Sequence, residues 1–186
     1  EEVDKPTAGQ KNKQNYTPAK WDTEKYVKEY NFLLNNDKSN VNWYILRYAD
    51  VLLLYAEALN EWKHGPDAEA YNAINAVRRR GYGNPSNTSA CDLPQGLDET
   101  SFREAVRKER SYELSFEGHR RQDLIRWGIY YKTVQATAKE LGYWWEGTGS
   151  PNYSVATYTE EGKHELFPIP QRDMDLCIQF NQNPKW

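Results

Sequence analysis

Ser101-Phe-Arg-Glu-Ala-Val-Arg-Lys-Glu-Arg-Ser-Tyr-Glu-Leu-Ser-Phe-Glu117, continued by Gly-His-Arg-Arg-Gln-Asp-Leu-Ile-Arg-Trp127, decides the fold. Ser101 and Glu104 have capping-box spacing, in which each side chain satisfies a backbone donor of the other's residue. Gly118 is the expected stop, because glycine takes the left-handed conformation of a helix end at little cost. At 100° per residue, Phe102, Ala105, Val106, Tyr112 and Phe116 share one face, which predicts a core helix. Glu109 and Glu113 fall in the middle of that face. Carboxylates there must find partners or become protonated.

Two readings of this pair compete. A general acid and base for glycoside hydrolysis needs two carboxylates flanking a cleft. Alternatively, arginines clamp them, drawn from Arg47, Arg78, Arg79, Arg80, Arg120 and Arg126, since the guanidinium fork suits a buried carboxylate. Both glutamates sit on one core-facing stripe of a single helix, so the structural reading is preferred. It predicts both buried and ionised, each within hydrogen-bonding distance of an arginine.

Composition narrows the class. The 186 residues are 38% hydrophobic and 14% aromatic, with seven Trp and fourteen Tyr, as in a globular protein. A net charge of −3 argues against a general nucleic-acid binder, which carries a basic stripe. No apolar run reaches the roughly 18 residues of a membrane span. Cys91 and Cys177 are too distant in sequence for a CxxC motif. They read as two buried thiols or, in an oxidising compartment, a disulfide.

Residues 1–40 form a polar lead-in broken by Pro6, Gly9 and Pro18, with one short strand possible over Glu24 to Asn31. Without a start methionine the chain reads as a piece of something longer. Val41 to Trp62 is predicted helical. Arg47, Asp50, Glu57, Asn60 and Glu61 fall in an arc of about 140°. The opposite side carries Ile45, Tyr48, Leu52, Tyr55 and Leu59, flanked by Leu46, Ala49, Leu53 and Ala56. So wide an apolar surface predicts packing on several sides. Gly65-Pro66 ends this helix, with Pro66 expected in the first turn of the next. That next helix, Asp67 to Arg80, presents Ala70, Ala73, Ile74 and Val77 for close antiparallel packing. The pair resembles one tetratricopeptide-type unit, and such units stack; neighbours are expected upstream.

A long loop over Gly81 to Thr100 precedes the central helix, and one helix is predicted over Arg120 to Leu141. The loop from Gly142 to Lys163 holds Tyr143, Trp144 and Trp145. Exposed rings there would offer stacking platforms for sugars, whereas a loop that folds back would bury them. Leu166-Phe-Pro-Ile-Pro170 is expected to be extended, followed by a short helix near Gln171 to Cys177. His64, His119 and His164 match no metal-binding spacing, and Gly147-Thr-Gly149 reads as turn chemistry. No nucleophile elbow or phosphate loop occurs. Neither a metal nor a cofactor is expected.

The motifs carry a resemblance. Tyr44-Ile-Leu-Arg-Tyr-Ala-Asp-Val-Leu-Leu-Leu-Tyr-Ala-Glu-Ala-Leu-Asn-Glu61 resembles the signature helix of the SusD/RagB family, and Ala76-Val-Arg-Arg-Arg-Gly81 its next motif. Lys108 to Gly128 resembles a third. Leu166-Phe-Pro-Ile-Pro-Gln171 and Gln182-Asn-Pro-Lys-Trp186 resemble the C-terminal signature. Order and spacing agree over residues 43–186, and residues 41–186 are taken as one SusD/RagB-like C-terminal domain. Two departures are Cys177-Ile178 where the family has Asn-Pro, and Lys185-Trp186 where it ends Gly-Tyr.

The resemblance implies a mainly α fold, a SusD-like C-terminal region with one tetratricopeptide-like hairpin and long irregular loops. It implies a non-enzymatic lipoprotein of the cell outer membrane in Bacteroidetes, facing outward, that binds a glycan or oligosaccharide beside a TonB-dependent, SusC-like transporter. Contact with the membrane would run only through a lipid anchor that this stretch lacks. The family motifs are structural, so ligand residues do not carry over by motif. Tyr143, Trp144 and Trp145 are the ligand-binding candidates on chemical grounds. Glu109, Glu113, Arg47, Arg78 and Arg120 are the candidate structural ion pairs. The rival functions are a helical-repeat scaffold binding protein alone and an α-helical glycoside hydrolase using Glu109 and Glu113.

Overall fold

A computed structural model describes residue 20 and residues 42–83, 90–144 and 154–186, with backbone alone over 140–144 and at 154. Among these residues there are seven helices and no strand, in keeping with the mainly α expectation. The possible strand over Glu24 to Asn31 lies outside the described residues. The chain divides into two compact units, one ending at Val106 and the other starting at Arg107.

The first unit is built on a hairpin. Helix α1 spans Tyr48–Lys63 and α2 spans Ala68–Gly81. The turn between them uses His64 in the left-handed region, at φ 54°. Asp67 then caps α2, its side chain accepting from the Ala70 N–H at 2.9 Å. Pro66 therefore precedes the cap rather than standing in the first turn. Residues 42–47 are not helical, a correction to the predicted start at Val41. Arg47 is the extended residue before the first turn.

Small residues set the crossing. Ala56, Ala70 and Ala73 are buried, and Leu53, Leu59, Ile74 and Val77 close around them. The first residues of α3, Glu99–Glu113, complete this core with Phe102 and Val106. The Phe102 ring meets Tyr71 edge-on, with centroids 5.1 Å apart. Replacing Ala73 by Trp is expected to overpack the crossing and destabilise it by about 1–3 kcal/mol. Thermal unfolding followed by circular dichroism should show a lowered midpoint; an unchanged midpoint would place the crossing elsewhere.

Polar bonds tie the loop before α3 to the hairpin. The Leu93 N–H donates to Asn75 Oδ1 at 2.9 Å, and the Leu97 N–H donates to the Tyr71 hydroxyl at 3.0 Å. Arg78 Nε donates to the Cys91 carbonyl at 2.7 Å, while Arg79 forks onto Asp92. The Ala76–Gly81 motif is thus a loop anchor. Asn60, fully buried, donates to the Glu99 carbonyl at 3.0 Å. Arg103 bridges Glu61 and Glu99, whose carboxylates raise its pKa further, Glu61 foremost.

Helix α3 does not begin with the predicted capping box. Asp98 is the cap, its Oδ1 accepting from the Ser101 N–H at 2.7 Å. Asp98 is held below the ordinary value of 3.8 by that bond. Asp67 is depressed by its bonds to Lys63 and the Ala70 N–H, and Asp92 by Arg79. A depressed folded-state pKa gives stability that is present above the unfolded value and lost as pH falls through the folded one. The unfolding midpoint should therefore hold near neutrality and fall as pH drops below about 4. A midpoint flat from pH 6 to pH 3 would remove these three carboxylates from the account.

The second unit carries the rest of α3, then α4 (Arg120–Arg126), α5 (Tyr130–Trp144), α6 (Ser154–Tyr158) and α7 (Gln171–Leu176). The single helix predicted over Arg120 to Leu141 is two helices. Gly128, at φ 68°, closes α4 in a Schellman motif: its N–H donates to the Ile125 carbonyl and the Ile129 N–H to Leu124, both at 2.9 Å. Helix α3 ends at Glu113, short of the predicted stop at Gly118; Phe116 and Gly118 both take positive φ, at 63° and 84°. Tyr112 and Phe116 are 62% and 65% exposed, so they leave the core face assigned to them. Helix α5 runs three residues past the predicted end, and α6 forms inside the predicted loop. Gln135 Nε2 pins α6 by donating to the Ala156 carbonyl at 2.7 Å.

The two C-terminal motifs bind each other. Gln182 accepts from the Ile169 N–H at 2.7 Å and donates to the Ile169 carbonyl at 2.9 Å. Asn183 donates to the Phe167 carbonyl at 2.6 Å. Trp186 Nε1 reaches the Lys163 and Leu166 carbonyls at 3.2 and 3.3 Å, with the His164 ring edge-on to it. Cys91 is buried and Cys177 exposed, both as free thiols, so only one of the two is a buried thiol.

Candidate functional site

The centre of the second unit is ionic. Where α3 passes Val106 its inward positions change from Phe102 and Val106 to Glu109 and Arg110, both buried. Arg110 forks onto Asp123 of α4, Nε to Oδ2 at 2.8 Å and Nη2 to Oδ1 at 3.0 Å. Arg126 adds a third bond, Nε to Asp123 Oδ1, at 2.9 Å. One buried carboxylate thus takes two guanidinium groups, which fix its geometry. Asp123 is not among the ion-pair residues expected from sequence. The available signal was Asp123 in the Arg-Arg-Gln-Asp run, on the turn facing α3.

Around this pair the side chains are cationic and aromatic. Arg107, Arg120 and Arg126 lie 5.0, 5.8 and 4.8 Å from the Trp127 ring centroid, within cation–π range. Arg121 donates to the His164 carbonyl at 2.6 Å and lies 4.3 Å from the Phe167 ring. An open groove of about 220 Å³ is lined by Arg110, Ser111, Leu114, Ser115, Phe116, Arg120 and Asp123. Drug-sized ligands occupy pockets of roughly 300–1,000 Å³, so this groove holds one small group at most.

The sequence-predicted residues are distributed as follows. Glu109 is buried and Glu113 half-buried. Arg47 stands at the start of α1, and Arg78 anchors the loop at Cys91. Arg120 is exposed and packs over Trp127. The backbone of Tyr143 and Trp144 forms the last turn of α5 rather than a loop. Their side chains, and all of Trp145, lie outside the described residues. Among the described residues no cluster of three His, Cys, Asp or Glu could hold a metal ion. None of their helices is long and apolar enough to cross a membrane.

Known proteins match this arrangement. "SusD-like protein P25" of Formosa agariphila is 38% identical over 135 residues, 73% of this chain and 22% of its own length. "SusD-like protein P2" of the same organism is 36% identical over 92 residues, 50% of this chain and 18% of its own. The crystal structure of a SusD homolog from Bacteroides thetaiotaomicron is 95% identical, with a TM-score of 0.87, over 95% of this chain and 33% of that one. The chain thus spans about a fifth of the first curated relative and a third of the solved one. The family model described as the SusD family matches residues 1–186, end to end across hairpin, ionic centre and clasped C-terminal motifs, and the chain belongs to that family.

Proposed function

We propose that this chain is part of a nutrient-binding protein, for a glycan or oligosaccharide, working at the outer membrane beside a TonB-dependent, SusC-like transporter. The protein would face outward, held by a lipid anchor outside these residues. The observation that carries the reading is the family match over residues 1–186. Binding without catalysis accords with the position of the glutamates. Glu109 is buried on the helix that carries the Arg110–Asp123 pair, where a substrate would have to displace packing. Glu109 and Glu113 are assigned a structural role, paired with arginines.

Tyr143, Trp144 and Trp145 are the proposed stacking platform. Aromatic rings offer apolar faces to the C–H faces of sugars at small conformational cost. The double variant Trp144→Ala/Trp145→Ala is expected to weaken glycan binding by about 0.5–1.5 kcal/mol, the size of one aromatic contact. Calorimetric titration reads the affinity and chemical unfolding the midpoint. Weaker binding at an unaltered midpoint supports the platform; a collapsed midpoint makes these rings core, and unaltered affinity places the site elsewhere.

A further inference from the structure

Between α6 and the Leu166–Pro170 motif the chain turns at Glu160. The Glu160 carbonyl accepts from the Lys163 and His164 N–H groups, both at 3.3 Å. The Glu160 N–H in turn donates to His164 Nδ1 at 2.8 Å. Glu160 and His164 thus close the turn from both sides, through the backbone and through the imidazole. A backbone N–H can only donate, so Nδ1 carries no proton and the ring proton sits on Nε2.

The same ring meets the tail. It stands edge-on to Trp186, with centroids 5.3 Å apart and planes at 77°. Trp186 Nε1 reaches the carbonyls of Lys163 and Leu166, on either side of His164. Lys185 Nζ donates to the Glu161 carbonyl and lies 3.3 Å from Glu160 Oε1. Lys185 and Trp186 therefore rest on this turn, whereas Gln182 and Asn183 are held separately by Ile169 and Phe167.

Charge does not decide what the ring does. Glu160, Glu161, Lys163 and Glu165 come from the turn, Lys185 from the tail and Arg121 from α4, where it donates to the His164 carbonyl. Acidic and basic groups balance, so the hydrogen bond decides. Lys163 Nζ already lies 4.7 Å from the Trp186 ring centroid, which leaves the indole little to gain from a second cation.

Histidine is the side chain whose charge ordinarily changes between about pH 5 and 8. A protonated imidazole has two N–H donors and no acceptor. Its Nδ1–H would face the Glu160 N–H across 2.8 Å, donor against donor. We propose that His164 is a proton-operated latch. With Nδ1 bare it closes the turn and seats Trp186. On taking a proton from solvent it leaves Glu160 and releases Lys185 and Trp186, while Gln182 and Asn183 stay bound. The inference stands apart from the glycan reading.

The test uses full-length protein labelled with 5-fluorotryptophan and fluorine NMR from about pH 8 to 5. With seven Trp in these residues, the Trp186 line is assigned by its loss in Trp186→Phe. The expected result is a Trp186 line that shifts in one titration step in the parent. In His164→Asn, whose amide oxygen accepts without titrating, it should stay at one position throughout. A variant line fixed at the parent's acid position also supports the latch, since the bond is then absent at every pH. A parent line that does not move would overturn the proposal, and so would an equal shift in His164→Asn, which would assign the titration to another group. If the variant does not fold, nitrogen-15 NMR of the His164 ring in the parent decides: its midpoint must coincide with that of Trp186, and separate midpoints overturn the latch.

Discussion

Arg110→Met is expected to destabilise the second unit by about 3–5 kcal/mol, the cost of leaving one member of a buried ion pair without its partner. Both side chains are almost inaccessible, at 3% and 6%. The substitution keeps much of the volume and removes the fork, leaving Asp123 with its bond to the more exposed Arg126. Asp123→Asn should have a similar effect, because it strips charge from a site holding two guanidinium groups. The double variant Arg110→Met/Asp123→Leu should cost clearly less than the two singles summed, as expected of groups that act through each other. Urea unfolding of the three variants reads this directly. Additive losses would show that the pair contributes nothing as a pair.

Phe102→Ala should cost about 3–5 kcal/mol in the first unit, as a large side chain deleted from a packed core leaves a cavity. Phe102 has no exposure and joins α3 to the hairpin through Tyr71 and the α1–α2 crossing. Phe102→Leu, which keeps most of the volume, should cost well under half as much. The same urea curves check it; equal losses for the two would mean that the ring is not filling the core.

These two variants mark where sequence reading held and where it failed. Ala56, Ala70 and Ala73 announced a close crossing, since small residues at helical spacing have few other uses, and the hairpin forms there. The first half of α3 followed its period as well. Past Val106 the period no longer identified the core, because burial there passes from apolar side chains to Arg110 and Asp123. A wheel that scores hydrophobicity cannot see an inward arginine, so Tyr112 and Phe116 were assigned inside and stand outside. Gly128 was a legible stop that the continuing apolar spacing of Leu124, Trp127 and Tyr131 concealed. Residues 42–47 continue the apolar pattern of α1, yet its first turn begins only at Tyr48. Of the ionic centre, the Arg110–Asp123 pair was not legible, because an inward arginine breaks the apolar period. Trp145 lies outside the described residues.

Glycan binding without turnover is the central claim, and one measurement addresses it most directly. Full-length protein is titrated with a panel of oligosaccharides by calorimetry, and the same mixtures are analysed for shortened products after prolonged incubation. The account predicts saturable heat with at least one oligosaccharide and an unchanged product profile, with Glu113→Gln binding as the parent does. Cleavage of an oligosaccharide that is lost in Glu113→Gln would contradict it and make this helix a catalytic one.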